Sequence, residues 1–235
     1  MARRAGRVLV WSAAAVLAAG PAVAVPAVKE LTTRYRSVSV TGAAMAPALA
    51  AGDRALVAPV RPADIRDGDI VLVDVPEFTG GNGPSIKRVI GTGGDRLACC
   101  GGTGDQVRRN GALLVEPYAR GGTRGFDLTV EQHRLFLLGD NREDSVDSQR
   151  PELFRHQVDG TVPDGAVLGR VVWTTAGAVG GPQERRVSAL MLRTAVGVVL
   201  TLAGAIALPL ALVLAARRRR RPVAPLQEAV LAAHP

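Results

Sequence analysis

Ser85-Ile86-Lys87-Arg88-Val89-Ile90-Gly91-Thr92, closed by Gly93-Gly94-Asp95, is the stretch on which the fold turns. It is short, rich in β-branched residues and ends on a glycine turn, which predicts a strand rather than a helix. Successive strand side chains point to opposite faces, so Lys87 and Arg88 part company, one of them facing inward. The same period of two recurs on both sides. Candidate strands are Arg36–Val40, Arg54–Pro59, Asp69–Val75, Ile86–Gly91, Gln106–Arg109, Ala112–Val115, Arg134–Leu138 and Val167–Trp173. Turn signals at Asp67-Gly68, Gly80-Gly81-Asn82-Gly83 and Asn110-Gly111 separate them, and no long amphipathic helix intervenes. The expectation is a mostly β, antiparallel domain. Gly121-Gly122-Thr123-Arg124-Gly125 reads as a flexible surface loop, and residues 177–186 as a linker.

Beyond that domain the chain turns apolar. Val8 to Val28 is uncharged after three arginines, and Thr194 to Ala216 is uncharged between Arg193 and five consecutive arginines. At 1.5 Å per residue the second stretch is roughly 34 Å long, enough for a hydrocarbon core of about 30 Å. The first contains Pro21, Pro26 and Ala22-Val23-Ala24, so a removable secretory signal is its alternative. With basic flanks held in the cytoplasm, the expected organisation is a cytoplasmic stretch 1–7, a span 8–28, an extracytoplasmic domain 29–187, a span 188–216 and a cytoplasmic tail 217–235. That makes a two-pass protein of the plasma membrane with the lipid bilayer as a partner.

The composition agrees. The 235 residues have a mean hydropathy of +0.16 and a net charge of +8, but the surplus sits at the ends, and residues 8–192 carry 20 basic and 20 acidic groups. A nucleic-acid partner needs a basic patch on the folded body, so none is expected. Cys99 and Cys100 are the two cysteines, read as a tolerated surface pair. His133, His156 and His234 are scattered, so no metal site is expected.

Of 29 basic residues, 27 are arginine and two are lysine, Lys29 and Lys87. Arginine keeps its proton, whereas a lysine among apolar groups falls toward neutrality and can serve as a general base. A snorkelling surface lysine is the plain alternative. A second cluster, Gly139-Asp140-Asn141-Arg142-Glu143-Asp144-Ser145-Val146-Asp147-Ser148-Gln149-Arg150, comes directly after the apolar Leu135-Phe136-Leu137-Leu138, and a strand-to-turn junction is a common place for a site. A Ser-His-Asp triad drawn from Ser145 or Ser148 with His133 or His156 has only the inventory behind it.

Lys87-Arg88-Val89-Ile90-Gly91-Thr92-Gly93-Gly94-Asp95 and Gly139-Asp140-Asn141-Arg142 with Ser145-Val146-Asp147-Ser148 resemble the lysine box and the carboxy-terminal box of bacterial type I signal peptidases. Gly68-Asp69-Ile70-Val71 and Asn110-Gly111 with Glu116-Pro117-Tyr118 fit between and around them, and the likeness covers roughly residues 36–174. Two anchors around an outer β domain resemble the actinobacterial members. The resemblance implies a serine-lysine endopeptidase that removes signal peptides of exported proteins at the outer membrane face, beside the secretion machinery, without metal or cofactor. It implies Lys87 as general base, Ser145 as the hydroxyl that orients it, and Asp147 as the carboxylate that supports the loop. Gln149 stands where the family usually has arginine, with Arg150 one residue later, so the loop's ion pair is expected to be re-routed or lost.

The family's nucleophile motif is glycine, any residue, serine, methionine, any residue, proline, threonine, leucine. This chain reads Gly42-Ala43-Ala44-Met45-Ala46-Pro47-Ala48-Leu49. Ala44 takes the serine position, and a methyl group has no lone pair with which to attack a carbonyl. Ala48 removes a second hydroxyl. Thr41, Ser39 and Ser37 lie at odd offsets from Ala44, on the opposite face of an extended strand. Three readings are open: a catalytically silent homologue, a pseudoenzyme that still binds signal peptides; a working peptidase with alanine introduced for serine, or attacking through Thr41; or an unrelated anchored β domain.

Overall fold

The computed structural model describes residues 2–100, 106–153, 159–176, 179 and 182–219. In chain order its elements are helix α1 (Ala2–Arg34), strands β1 (Arg36–Ser39), β2 (Arg54–Ala58) and β3 (Ile70–Val73), the short helix α2 (Pro76–Thr79), and β4 (Ser85–Thr92). After these come β5 (Arg96–Cys99), β6 (Val107–Arg109), β7 (Ala112–Leu113), β8 (Phe126–Thr129), β9 (Arg134–Leu138), β10 (Val162–Pro163), β11 (Val167–Thr174) and helix α3 (Pro182–Arg219). They form two compact units, residues 31–188 and the paired stretches 1–30 and 189–235.

In the first unit a seven-stranded sheet runs β1-β2-β11-β3-β4-β9-β10, and a four-stranded sheet runs β7-β6-β5-β8. Every strand pairing is antiparallel, as the turn spacing predicts. β4 is the strand the cores share. Its Val89 packs with Val71, Val73, Phe78 and Leu137 on one face, while Ile86 lies against Val40, Met45, Leu49 and Leu72 on the other. A register shift between Val89 and Gly91 then hands Ile90 to a third cluster with Leu97, Val107 and Phe136. A bulge adds one residue to one strand and so re-aims the side chains beyond it. Gly91 allows the third cluster to close, since a Cβ there would meet Leu97 Cδ1 at 2.7 Å.

In the second unit the two helices run antiparallel. Gly6 lies against Ala215, Leu17 against Gly204, and Ala24 against Gly197. A Cβ on Gly20 would stand 2.6 Å from Gly197 O, so small residues set the approach of the two backbones. Both helices are long and apolar enough to cross a membrane, over Arg4–Arg34 and Glu184–Arg217. They run past the uncharged stretches at both ends.

Several expectations change. The expected strands omit β5, β8 and β10, stretches of four, four and two residues. Thr123, read as part of a flexible loop, is buried and accepts a hydrogen bond from Arg142 Nη1, so the arginine network ties that loop down. The linker reading ends early, because α3 begins at Pro182, and residues 177, 178, 180 and 181 lie outside the described residues. Cys99 and Cys100 are joined to each other, and Cys99 is no surface residue, for it faces the third cluster from β5.

Phe136 is fully buried and its ring lies 4.7 Å from that of Phe126, across the two sheets. Phe136→Ala is expected to cost about 3–5 kcal/mol, read as a lower denaturant midpoint for the β unit; a loss under about 1 kcal/mol would refute that role.

Candidate active site

The site is built where β4 and β9 part. Arg88 pairs with Leu138 and Val89 with Leu137, so Gly139 leaves the end of β9 beside Lys87. The Lys87 side chain emerges on the face that carries Val89 and opposes Val71 of β3. It is 2 % exposed, its Nζ lies 5.6 Å from the centre of the Phe78 ring, and it donates to Ser145 Oγ at 3.0 Å. Burial pushes the lysine below its usual value and the nearby Asp147 carboxylate, acting the other way, does not win. The inward lysine is therefore the reading the structure supports, and the snorkelling alternative is excluded.

Ser145 and Asp147 are both fully buried. Burial pushes Asp147 upward, opposed by the Gly139 N–H, the Ser145 hydroxyl and the Lys87 charge. Asp147 Oδ2 accepts from Gly139 N at 2.8 Å and Oδ1 from Gln149 N at 3.2 Å. Ser148 accepts from Leu137 N through its hydroxyl and donates to Leu137 O through its backbone N–H, both at 3.0 Å. The loop thus returns to the strand it left.

A ring of arginines fixes the loop from outside. Arg88 holds Asp140 by two bonds of 2.7 and 2.6 Å, with its guanidinium 3.9 Å from the Tyr118 ring. Burial pushes the Tyr118 hydroxyl far above its usual value, so it stays protonated and donates to Glu116. Arg142 is buried and spends its fork on Gly139 O, Thr123 Oγ1 and Glu116 Oε1. Gln149 replaces charge with amide geometry: Oε1 accepts from Arg124 N, and Nε2 donates to Arg142 O. Arg150 donates its backbone N–H to Asp147 O at 3.0 Å, and its buried Nε has no partner among the described residues. Among the causes that set the Asp147 carboxyl, the cation is Lys87.

Ala44 reaches the same place. Its carbonyl accepts from Asn141 N at 3.0 Å, and Asn141 Nδ2 donates to Ala43 O at 3.3 Å. A Cβ on Gly139 would fall within 2.5 Å of both Ser145 Oγ and Ala44 O, so the absent side chain lets these two segments meet. Met45 and Leu49 anchor the Ala44 segment in the core.

The drawn triad does not assemble. His133 sits at the far end of β9 with its side chain 89 % exposed, and His156 lies outside the described residues. Thr41 is exposed, whereas Lys87 is buried. Among the described residues no three His, Cys, Asp or Glu side chains group as metal ligands. The sequence reading missed Phe78, a lone aromatic in Pro76-Glu77-Phe78 with no pattern around it. It also quoted Asn141 and Asp140 without a role, since their partners lie 98 and 52 residues away.

Comparison with known proteins places the chain in a family. The family model for "Signal peptidase, peptidase S26" matches residues 10–176. The chain belongs to that family of membrane-associated peptidases. A probable signal peptidase I of Mycobacterium leprae is 36% identical over 157 residues, 52% of this chain and 54% of that protein. Signal peptidase I of Mycobacterium tuberculosis is 36% identical over 107 residues, 37% of this chain and 36% of that protein. The chain spans about half the length, or less, of the curated relatives it matches. A crystal structure of a signal peptidase I from Enterococcus faecalis V583 aligns at 26% identity and a TM-score of 0.36, over 46% of this chain and 97% of that one.

With two lysines in the chain, lysine labelled with 13C at Cε gives two resonances. The Lys87 signal should titrate below 10.5, and Asp147→Asn should carry it lower by removing the anion. The unfolded chain holds the extra proton between the folded value and 10.5, so this group's contribution to stability rises with pH across that interval. A midpoint at or above 10.5 would overturn the burial argument. Gly139→Ala should cost about 1–3 kcal/mol by overpacking, and an unchanged thermal midpoint would contradict the close approach of Gly139 to Ser145 and Ala44.

Proposed function

We propose that the β unit is a signal-peptidase domain whose Lys87, Ser145 and Asp147 are set for serine-lysine chemistry, while Ala44 leaves it without a nucleophile. The observation that carries this reading is the buried Lys87 amine, 3.0 Å from Ser145 Oγ, beside the glycine that also carries Ala44 O. In the proposed chemistry a hydroxyl at position 44 attacks the peptide carbonyl and passes its proton to neutral Lys87. Lys87 returns that proton to the leaving amine as the C–N bond breaks. Ser145 holds the amine in place, and Asp147 holds Ser145 and Gly139. The chain as it stands binds signal peptides of exported proteins at the extracytoplasmic face without cutting them, close to the secretion machinery. Residues 8–28 and 188–216 span the plasma membrane around the domain 29–187, with 1–7 and 217–235 in the cytoplasm.

A working peptidase that attacks through Thr41 is the second reading, and the exposure of Thr41 against the burial of Lys87 weighs against it.

Cleavage of a purified signal-bearing precursor, by this chain and by Ala44→Ser side by side in detergent, tests the proposal. The serine variant is expected to cut and the parent not. The gap should approach the factor of about 10⁶ that accompanies loss of a hydrolase nucleophile. Lys87→Arg in the serine background should abolish cutting, because a guanidinium does not give up its proton. Cutting by the parent would remove position 44 from the mechanism. Failure of both, with no saturable binding of a signal peptide, would refute the domain's proposed role.

A further inference from the structure

A second concavity lies at the opposite end of β4 and β9 from Lys87. It has a volume of about 520 Å³ and is lined by the connector Arg61–Arg66, the turn Thr92–Gly93, the turn 132–135 and Asp164. Thr92 is five residues along β4 from Lys87, roughly 16 Å, so the cavity is separate from the lysine site. Its chemistry is one-sided. Arg61, Arg66 and Arg134 line it with the carboxylate of Asp164, and Asp64 of the same connector pairs with Arg61 beside it, which leaves three cations against two acids.

The hydrogen bonds make the imbalance specific. Arg61 commits Nε to Asp64 at 2.6 Å, in an ion pair largely open to solvent, which is worth little. Its two terminal nitrogens have no acceptor among the described residues. Arg66 commits only Nη1, to Ala63 O at 2.6 Å and Ile65 O at 3.0 Å. Those two carbonyls hold the guanidinium plane in place and leave Nε and Nη2 unspent. Arg134 is anchored by Nε and Nη2 on the hydroxyl and carbonyl of Thr161. The Gln132 amide has no hydrogen-bond partner among the described residues, and Asp164 lies 3.4 Å from His133 Nδ1. Gly93 packs so closely on Gln132 that a Cβ there would meet Gln132 Cα at 3.0 Å, which joins the two turns into one wall. The cavity therefore carries uncommitted N–H donors on Arg61 and Arg66, those of Arg66 held by two carbonyls, and three cations against two acids. Guanidinium forks match the paired oxygens of a phosphate.

We infer that this cavity binds the phosphate group of a small anion, with Arg61 and Arg66 as the forks that clasp it. A free phosphate and the phosphodiester headgroup of a lipid present the same oxygens. The inference is independent of any role for Lys87 or Ala44.

Isothermal titration of the full chain in maltoside micelles, in phosphate-free buffer, tests it with inorganic phosphate in one arm and glycerophosphoglycerol, a lipid headgroup without tails, in the other. Saturable binding in either arm is expected. The double change Arg61→Gln with Arg66→Gln should weaken it at least tenfold, and Arg96→Gln, on the small sheet, should leave it unchanged. Arg66→Lys, which keeps the charge and loses the fork, should weaken it at least threefold, and serves if the double variant unfolds. Tighter binding of the headgroup identifies a lipid, and tighter binding of phosphate a free anion. Absence of saturable binding in both arms, or an equal loss in Arg96→Gln, overturns the proposal.

Discussion

Removing an amine from water is the constraint around which the β unit is arranged. Lys87 has almost no solvent contact, and a charged ammonium in such a place is costly unless opposed. The structure opposes it weakly, with one hydroxyl at 3.0 Å, one aromatic face and one carboxylate that is itself buried. Everything nearby serves to hold those three groups still. β4 offers the lysine on a strand with packed cores on both faces, the Arg88 and Asp140 pair fixes the start of the loop, and Arg142 fixes its middle. The loop's two ends are sewn back to β9 through Ser148 and Asp147. Around these three groups, most of the neighbouring contacts restrain motion.

Much of this was legible in the chain before any coordinates. The antiparallel β character follows from period-two alternation and glycine turns, and Lys87 stands out by its rarity among arginines, with alternation turning either it or Arg88 inward. What stayed hidden was non-local. Nothing around Phe78 marks it as the ring beneath Lys87, and no spacing reveals that Asn141 grips the Ala43–Ala44 backbone 98 residues away. The four-stranded sheet was half read, because β5 and β8 are four residues each and owe their pairing to the Phe126 and Phe136 contact as much as to their own pattern. Thr123 was taken for a loop residue because glycine neighbours signal freedom, whereas a buried guanidinium decides its place.

The geometry around position 44 is held by residues other than its side chain. The basic ends and apolar helices account for the net charge of +8, while the β unit keeps its charges in local pairs such as Arg88 with Asp140 and Arg142 with Glu116. The network that positions Lys87 contains no bond to a side chain at position 44.

That last point reaches beyond chemistry. Residue 44 is gripped by its main-chain carbonyl alone, so the fold is blind to whether a hydroxyl or a hydrogen ends its side chain. Selection for a stable, correctly packed protein would neither keep a serine there nor drive one out. An exchange of alanine and serine at position 44 is thus close to neutral for folding. A lineage could make that single exchange in either direction without disturbing the main-chain bonds around it.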